Sequence, residues 1–349
     1  MEGRSDKSDD PYSMDMISSA KDAQWSPEML GADRLVKVIS PSKVNLFLSI
    51  GAKRDDGYHE ARNIMHSLAL HDTLYFGVKP FKGEDGSALA GPADNIEVRI
   101  ETSDKTTSPY DAPIQIPVRE NLIFKAIDSL AHEIGYTHAE TIEVRVEKNI
   151  PVQAGLAGGS TDASAALVAC ARLWGISDDD ALYRVAQTLG ADVAFFLEGG
   201  CCEYTGRGEE FLRRLDPMKL PVVLVKPSIG VSTKEAYETL DLYPHSASDA
   251  VMYRASEAKC ASDVPLFNSF DEISGELDVE LAEVKRWLCV QSGVLSCDGR
   301  PLCMLSGSGA TTFAITDSFA SATRIAAEAM AEGYWARATT FCSLKSSVV

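Results

Sequence analysis

Asn149-Ile150-Pro151-Val152-Gln153-Ala154-Gly155-Leu156-Ala157-Gly158-Gly159-Ser160-Thr161-Asp162, continued by Ala163-Ser164-Ala165-Ala166-Leu167, is the stretch on which the reading of this chain turns. Just upstream, Thr141 to Glu147 alternates: Ile142, Val144 and Val146 share one face, and Glu143, Arg145 and Glu147 the other. That pattern predicts a half-buried strand. Downstream, Ala163 to Trp174 sets Leu167, Val168, Cys170, Leu173 and Trp174 among small residues, which predicts a mostly buried helix. A loop rich in glycine and hydroxyls therefore joins a strand to a helix N-terminus. Glycines let backbone approach a ligand closely, and the first helical N–H groups have no internal partners. The positive end of the helix favours an anion, so a phosphate is the natural occupant. No Gly-Lys-Ser/Thr follows the glycines and no Gly-x-Gly-x-x-Gly spacing is present, which excludes the two commonest phosphate-loop signatures. The plainer alternative is a loop in which Ser160, Thr161 or Asp162 caps the helix. Capping needs one such residue, however, not three neighbouring glycines.

Working outward, 349 residues suffice for two packed lobes, and no apolar run is long enough to span a membrane. A net charge of -18 argues against a general nucleic-acid or membrane-surface binder, which needs a basic face. A phosphate ligand would have to be met by a few Lys or Arg, backbone N–H groups and a metal. The eight cysteines form no C-x-x-C pair, several lie in apolar segments, and no signal peptide precedes them. A reduced, cytoplasmic protein is the expectation. His132 and His138, six residues apart, miss the spacing of a zinc helix and are read as structural or solvated.

Residues 1–33 are polar and acidic with little periodicity, and are expected to be a disordered tail. Two strand-like runs hinged at Pro41 follow, from Leu35 and from Val44 to Ile50. A charged turn at Gly51–Tyr58 leads to an apolar segment, Asn63–Leu70, and to strands at Thr73–Val78 and Asn95–Glu101. Loops are expected at Pro80–Asp94 and Thr102–Pro117, and helices near Asn121–Ile134, Thr161–Trp174 and Asp178–Leu189. The second half predicts a strand at Val222–Lys226, a helix near Thr233–Leu240, and an irregular stretch from Asp241 to Pro265. A helix at Leu277–Val290, a strand–turn–strand at Met304–Ile315, a helix at Ala320–Met330 and a strand at Trp335–Phe341 complete it. Strands and helices mix without strict alternation, which predicts α+β in two lobes.

Two lone charges stand out. Lys43 is the only charged residue between Val38 and Ile50, and Asp192 is alone in the apolar run Leu189–Leu197. A charge among apolar residues is costly unless paired or used. Facing each other in a cleft, the two would be satisfied and could activate a hydroxyl: the carboxylate takes its proton and the ammonium steadies the attacking oxygen. The alternative is two unrelated residues, Asp192 capping a turn and Lys43 reaching from a strand edge. Asp56-Gly57-Tyr58-His59 closes the charged turn with a stacking face and a ring whose nitrogens can read a base edge, or is merely a turn. Leu305-Ser306-Gly307-Ser308-Gly309-Ala310 offers further backbone donors, or a tight hairpin.

Taken in order, Pro-Ser-Lys43-Val-Asn45-Leu-Phe-Leu, Ile150-Pro-x-x-x-Gly-Leu-x-Gly-Gly-Ser-Thr161 and Leu305-Ser-Gly-Ser-Gly-Ala310 resemble the three motifs of the GHMP kinases. Asp56-Gly-Tyr-His59 and Thr188-Leu-Gly-Ala-Asp192-Val are similar to the members whose acceptor is 4-diphosphocytidyl-2-C-methyl-D-erythritol. These phosphorylate its 2-hydroxyl from ATP in the non-mevalonate route to isoprenoids. The resemblance covers roughly Leu35 to Phe341. It implies a two-lobe α/β kinase with an unusual left-handed crossover and the active site between the lobes. The N-terminal lobe (residues 34–213, holding the ATP-phosphate loop) would be like ribosomal protein S5 domain 2, and the C-terminal lobe (214–349) ferredoxin-like.

The resemblance also implies roles. Pro151, Gly155, Leu156, Ala157, Gly158, Gly159, Ser160 and Thr161 would surround ATP, with Asn121 on the nucleotide side. Ser160 would reach Mg²⁺ through the phosphates. Asp192 would be the base with Lys43 beside it. Asn45 would position the acceptor, Tyr58, His59 and Tyr237 would hold its cytosine, and Gly307, Ser308 and Gly309 would add donors. The expected partner is this small molecule alone, without nucleic acid or membrane, for a monomer or weak homodimer. Gln153, Ala154 and Ala157 stand where the family commonly has glycine, and Ala194 where a proline often follows the aspartate. If φ is positive at Ala157, nucleotide affinity should suffer. Asn268-Ser269-Phe270 partly matches a further family segment. The rival readings are a homoserine- or mevalonate-type kinase, which has no cytosine to grip, and a non-catalytic binding protein of the same fold.

Overall fold

The computed structural model describes residues 32–54, 57–81, 96–106 and 116–349. The expected tail lies outside the described residues but for residues 32 and 33, as do residues 82–94 of the expected Pro80–Asp94 loop, residues 107–115 of the expected Thr102–Pro117 loop, and Asp56.

Two long strands, β1 (Arg34–Lys53) and β2 (His59–Pro80), pair antiparallel and form the spine of an eight-stranded sheet. The two runs expected on either side of Pro41 are one strand. The register slips between Pro41 and Ser42, and at such a bulge the missing proline N–H costs no ladder bond. Likewise β2 is continuous through the apolar segment and the strand read separately. β3 (Ile96–Asp104) runs parallel to β4 (Glu140–Lys148), with α1 (Leu122–Glu133) on the crossover between them. Beyond the glycine loop come α2 (Gly158–Trp174), α3 (Asp179–Leu189) and the single turn α4 (Phe195–Glu198). A hairpin not foreseen in the sequence follows, β5 (Cys201–Thr205) and β6 (Glu210–Leu215), with β5 pairing β2. Helices α1 and α2 bury Ile127, Leu130, Ala166 and Cys170 against Phe76, Ile142 and Val144 of the sheet.

β7 (Pro221–Lys226) begins a second sheet. After it come α5 (Thr233–Leu242) and α6 (Asp249–Glu257). The expected irregular stretch thus contains a helix, amphipathic enough to pack Val251, Met252 and Ala255 while leaving the rest in water. The short β8 (Phe267–Asn268) adds to β1 in parallel, and the turns α7 (Ser269–Glu272) and α8 (Ser274–Leu277) lead to α9 (Val279–Cys289). A two-stranded ribbon, β9 (Ser296–Cys297) and β10 (Arg300–Pro301), precedes β11 (Cys303–Leu305) and β12 (Thr312–Ile315). Then come α10 (Phe319–Ala331), β13 (Trp335–Thr340) and β14 (Ser347–Val348), the last returning to β1. The second sheet has the order β11-β12-β7-β13 and is antiparallel throughout. Its outer face packs α9 and α10 through Val284, Leu288, Ile325 and Ala329. Its inner face, with Leu224, Phe313 and Ile315, meets Val44, Leu46, Ile64 and Leu68 of the first sheet in one apolar core. The glycine loop and the Ser306–Gly309 turn lie where these layers join.

Candidate active site

The glycine loop is held by neighbours on both sides. Lys43 N donates to Leu156 O at 3.3 Å, and Ala310 N and Thr311 N donate to Gln153 O and Ala154 O, each at 3.2 Å. Ser306 Oγ donates to Gly155 O at 3.0 Å. Gly155 has φ +71°, and a Cβ there would lie 1.9 Å from Ser306 O, so only glycine fits. Helix α2 starts at Gly158, three residues earlier than expected, after Ala157 at φ +60°, and no side chain caps it. The capping reading of the loop is therefore overturned: Ser160, Thr161 and Asp162 lie inside the helix, and its first turn has no side-chain cap. Gln153 is also left-handed, at φ +49°. Two of the three residues standing where glycine is common, Gln153 and Ala157, thus occupy conformations that L-residues adopt at a cost.

A cavity of about 530 Å³ opens beside this loop. Pro151, Gly155, Ala157, Gly158, Gly159 and Ser160 line one side, and Lys43, Asn45, Asp192, Tyr237 and the Gly307-Ser308-Gly309 turn line the other. The two lone charges of the sequence meet here: Lys43 Nζ is 3.5 Å from Asp192 Oδ2. Lys43 is 3% exposed, and its ammonium also donates to Asn45 Oδ1 at 2.7 Å, while Asn45 Nδ2 donates to Asn63 Oδ1 at 2.8 Å. Asn63 on β2, which nothing in the sequence singled out, therefore fixes which end of the Asn45 amide faces the lysine. Ala194 sits at φ -62°, fully buried, in a turn closed by Val193 N to Gly190 O, Phe196 N to Val193 O and Leu197 N to Ala194 O. These bonds hold the Asp192 turn without a proline ring.

A second cavity, also about 530 Å³, continues from the first and shares Ala191, Arg207, Thr233 and Tyr237 with it. Tyr58 and His59 line it, beyond Gly57 at φ +85°. The His59 and Tyr237 rings lie 5.3 Å apart, and Tyr237 meets Phe270 edge-on at 5.1 Å. Burial, with the charge of Asp192 adding to it, pushes the Tyr237 phenol up to about 12. Arg207 stands 4.8 Å over the Tyr58 ring and is pinned by Glu209 at 2.9 Å. Asn268 donates to Leu305 O and Gly307 O, both at 2.8 Å, and so ties β8 to the Ser306–Gly309 turn.

Three expected residues stand back from the cavity. Thr161 is fully buried with its hydroxyl 2.6 Å from Ser40 Oγ, Leu156 is fully buried, and Asn121 caps α1 by accepting from Ile123 N at 2.9 Å. Behind the loop lies a buried trio the sequence did not reveal: Lys148 Nζ donates to Asp72 Oδ2 at 2.5 Å and to Asp162 Oδ2 at 2.6 Å. Asp72 Oδ1 also accepts from Asn149 N and Ile150 N, anchoring the start of the loop. Among the described residues no group of three or more His, Cys, Asp or Glu could hold a metal ion.

Residues 121–200 match the family model described as the GHMP kinases N terminal domain. The chain is 36% identical to the 4-diphosphocytidyl-2-C-methyl-D-erythritol kinase of Pelotomaculum thermopropionicum, over 84% of this chain and 93% of that protein. It is 34% identical to the kinase of the same name from Desulfitobacterium hafniense, over 84% of this chain and 91% of that one. A crystal structure of 4-(cytidine 5'-diphospho)-2C-methyl-D-erythritol kinase superposes with a TM-score of 0.65 at 28% identity, covering 87% of this chain and 98% of that one. Homoserine kinase from Cytophaga hutchinsonii superposes with a TM-score of 0.64 at 17% identity, covering 90% and 97%, a likeness of fold.

Proposed function

This chain belongs to the 4-diphosphocytidyl-2-C-methyl-D-erythritol kinases of the GHMP superfamily, and from that membership we propose how its own residues carry out the reaction. It is an ATP-dependent small-molecule kinase acting on the 2-hydroxyl of 4-diphosphocytidyl-2-C-methyl-D-erythritol, in the non-mevalonate route to isoprenoid precursors. The observation that carries the assignment of roles is the junction of the two cavities at Ala191, Arg207 and Tyr237, next to Asp192 of the first cavity. One cavity holds a helix N-terminus suited to a triphosphate and the Asp192 carboxylate, and the other holds aromatic rings suited to a base.

Asp192 accepts the proton of the acceptor hydroxyl as its oxygen attacks the γ-phosphorus of ATP. The new O–P bond forms as the bridging bond to the β-phosphate breaks, and ADP leaves. Lys43 steadies the charge on the attacking oxygen, held in place by Asn45 and Asn63. The backbone N–H groups from Gly155 to Ser160 receive the phosphates, and the bare first turn of α2 suits that task. The donor set fits a metal held through phosphates rather than by a protein cage: Ser160 would reach Mg²⁺, which supplies charge neutralisation when bound. Arg207, which lines both cavities, would meet the acceptor's diphosphate. Tyr58, His59 and Tyr237 receive the cytosine.

Among the described residues no helix is long and apolar enough to cross a membrane. The net charge of -18 and the eight unpaired cysteines support a cytoplasmic enzyme that works without nucleic acid or membrane. The test is turnover with ATP against the cytidine diphosphate acceptor, homoserine and mevalonate, with the product's phosphate located by ³¹P NMR. Phosphorylation of the cytidine compound at the 2-oxygen is expected. Preference for either smaller alcohol, or ATP binding without transfer, would overturn the reading.

A further inference from the structure

Asp241, on α5, is one turn beyond Tyr237 and so shares its face of the helix. Its two carboxylate oxygens are both engaged: Oδ1 is 2.7 Å from His59 Nε2, and Oδ2 accepts from Lys53 Nζ at 2.8 Å. Lys53 and His59 are register partners at the end of the β1–β2 ladder. A single carboxylate therefore ties both strand ends to the helix that carries Tyr237, and fixes the angle between the His59 and Tyr237 rings, 35° at 5.3 Å. Lys53 and His59 thus share the one carboxylate, and through Nε2–H the imidazole meets it as a donor. In a neutral imidazole the nitrogen that donates determines the other as acceptor. Among the described residues Nδ1 of His59 has no hydrogen-bond partner.

We propose that Asp241 is a specificity-determining positioning residue: by accepting the Nε2–H of His59 it leaves Nδ1 an acceptor, which favours a base edge bearing an amino group, as in cytosine, over one bearing a carbonyl, as in uracil. Cytosine presents an N–H₂ donor where uracil presents an oxygen, and an acceptor nitrogen facing that oxygen repels it. Asp241 touches no substrate atom in this scheme; it acts through His59. The inference rests on reading the second cavity as the base site.

The experiment compares full-length wild type with Asp241→Ala and Asp241→Glu, using the cytidine acceptor and its uridine counterpart. For Asp241→Ala, KM for the cytidine compound should rise about tenfold, the size of one hydrogen bond to a charged group. Turnover at saturation and KM for ATP should stay within about twofold, and the preference for cytidine over uridine should fall. Asp241→Glu should restore most of the preference. Independently of any variant, ¹⁵N spectra of wild type, with His59 assigned through His59→Ala, should show the proton on Nε2 and a pyridine-like Nδ1. An unchanged base preference in Asp241→Ala, or a wild-type spectrum with the proton on Nδ1, overturns the inference and leaves the kinase assignment standing. Failure of wild type to phosphorylate the cytidine compound overturns both.

Discussion

Lys43 and Asp192, one buried in β1 and the other in the turn after α3, approach to 3.5 Å between Nζ and Oδ2. The lysine has a second, shorter bond to Asn45 at 2.7 Å, so its position does not depend on the aspartate. That separation of duties makes the two roles testable one at a time.

Asp192→Asn keeps the shape of the side chain and removes its capacity to take a proton. Turnover should fall roughly a hundredfold or more, with KM for ATP and for the acceptor little changed. Steady-state kinetics with both substrates varied checks this, and an undiminished turnover would remove Asp192 as the base.

Asn63→Ala takes away the acceptor for Asn45 Nδ2, which lies 2.8 Å from Asn63 Oδ1. The Asn45 amide can then turn its nitrogen toward Lys43, two donors facing each other. We expect turnover to drop about tenfold, the effect of one lost charge-assisted hydrogen bond, with KM for ATP unaffected. A drop confined to KM for ATP would contradict the geometry.

Ala157 at φ +60° pays for a conformation that glycine adopts freely. Relief of about 1–2 kcal/mol of left-handed strain, set against about 0.5–1 kcal/mol of extra glycine entropy, should leave Ala157→Gly about 0.5–1 kcal/mol more stable. Ala157→Val, β-branched, should lose stability and raise KM for ATP as the loop shifts. Urea unfolding midpoints of the three proteins give the order; a glycine variant less stable than wild type would refute the account.

Burial, reinforced by the charge of Asp72 and opposed by Lys148, pushes the Asp162 carboxyl up to about 8. Between the ordinary carboxylate value and that point, the folded chain holds a proton that the unfolded chain has released. The sign follows: this contribution to stability declines as pH rises from about 4 to about 8. Asp162→Asn mimics the protonated form and should flatten that decline, with little loss at acidic pH. Lys148→Met, by contrast, strands Asp72 and should cost about 3–5 kcal/mol. Denaturant titrations of wild type and both variants across that pH range are the check. A wild type whose stability relative to Asp162→Asn rises with pH would show the sign to be wrong.

How much of this was legible beforehand depended on whether a residue's oddity was local. Lys43 and Asp192 are each the lone charge in an apolar run, so sequence neighbours exposed both, and the structure brings them together. Asn63, Asp72 and Asp241 are ordinary residues among ordinary neighbours, and acquire meaning only from partners distant in the chain. The Asp241–Pro265 stretch looked irregular because α6 buries only one face of two turns against the core, too short a period to read. The β5–β6 hairpin was hidden for another reason. Glu203 is fully buried on β5, where its charge breaks the apolar pattern, and is satisfied by Arg62 at 2.5 Å and Arg213 at 2.6 Å from other strands. The glycine loop was legible as an anion site, but the sign of φ at Ala157 and Gln153 was not, since side-chain identity argues for the opposite sign.

The contact between Gly155 and Ser306, too close for any Cβ, has a consequence for anyone recombining this enzyme with its relatives. The glycine loop and the Ser306–Gly309 turn are two halves of one joint. A transplanted phosphate loop will seat only if residues 306–311 travel with it, because they supply the bonds to Gln153, Ala154 and Gly155. The unit of exchange in a chimera is therefore a pair of segments 151 residues apart in the chain, and a crossover between them separates parts that must be inherited together.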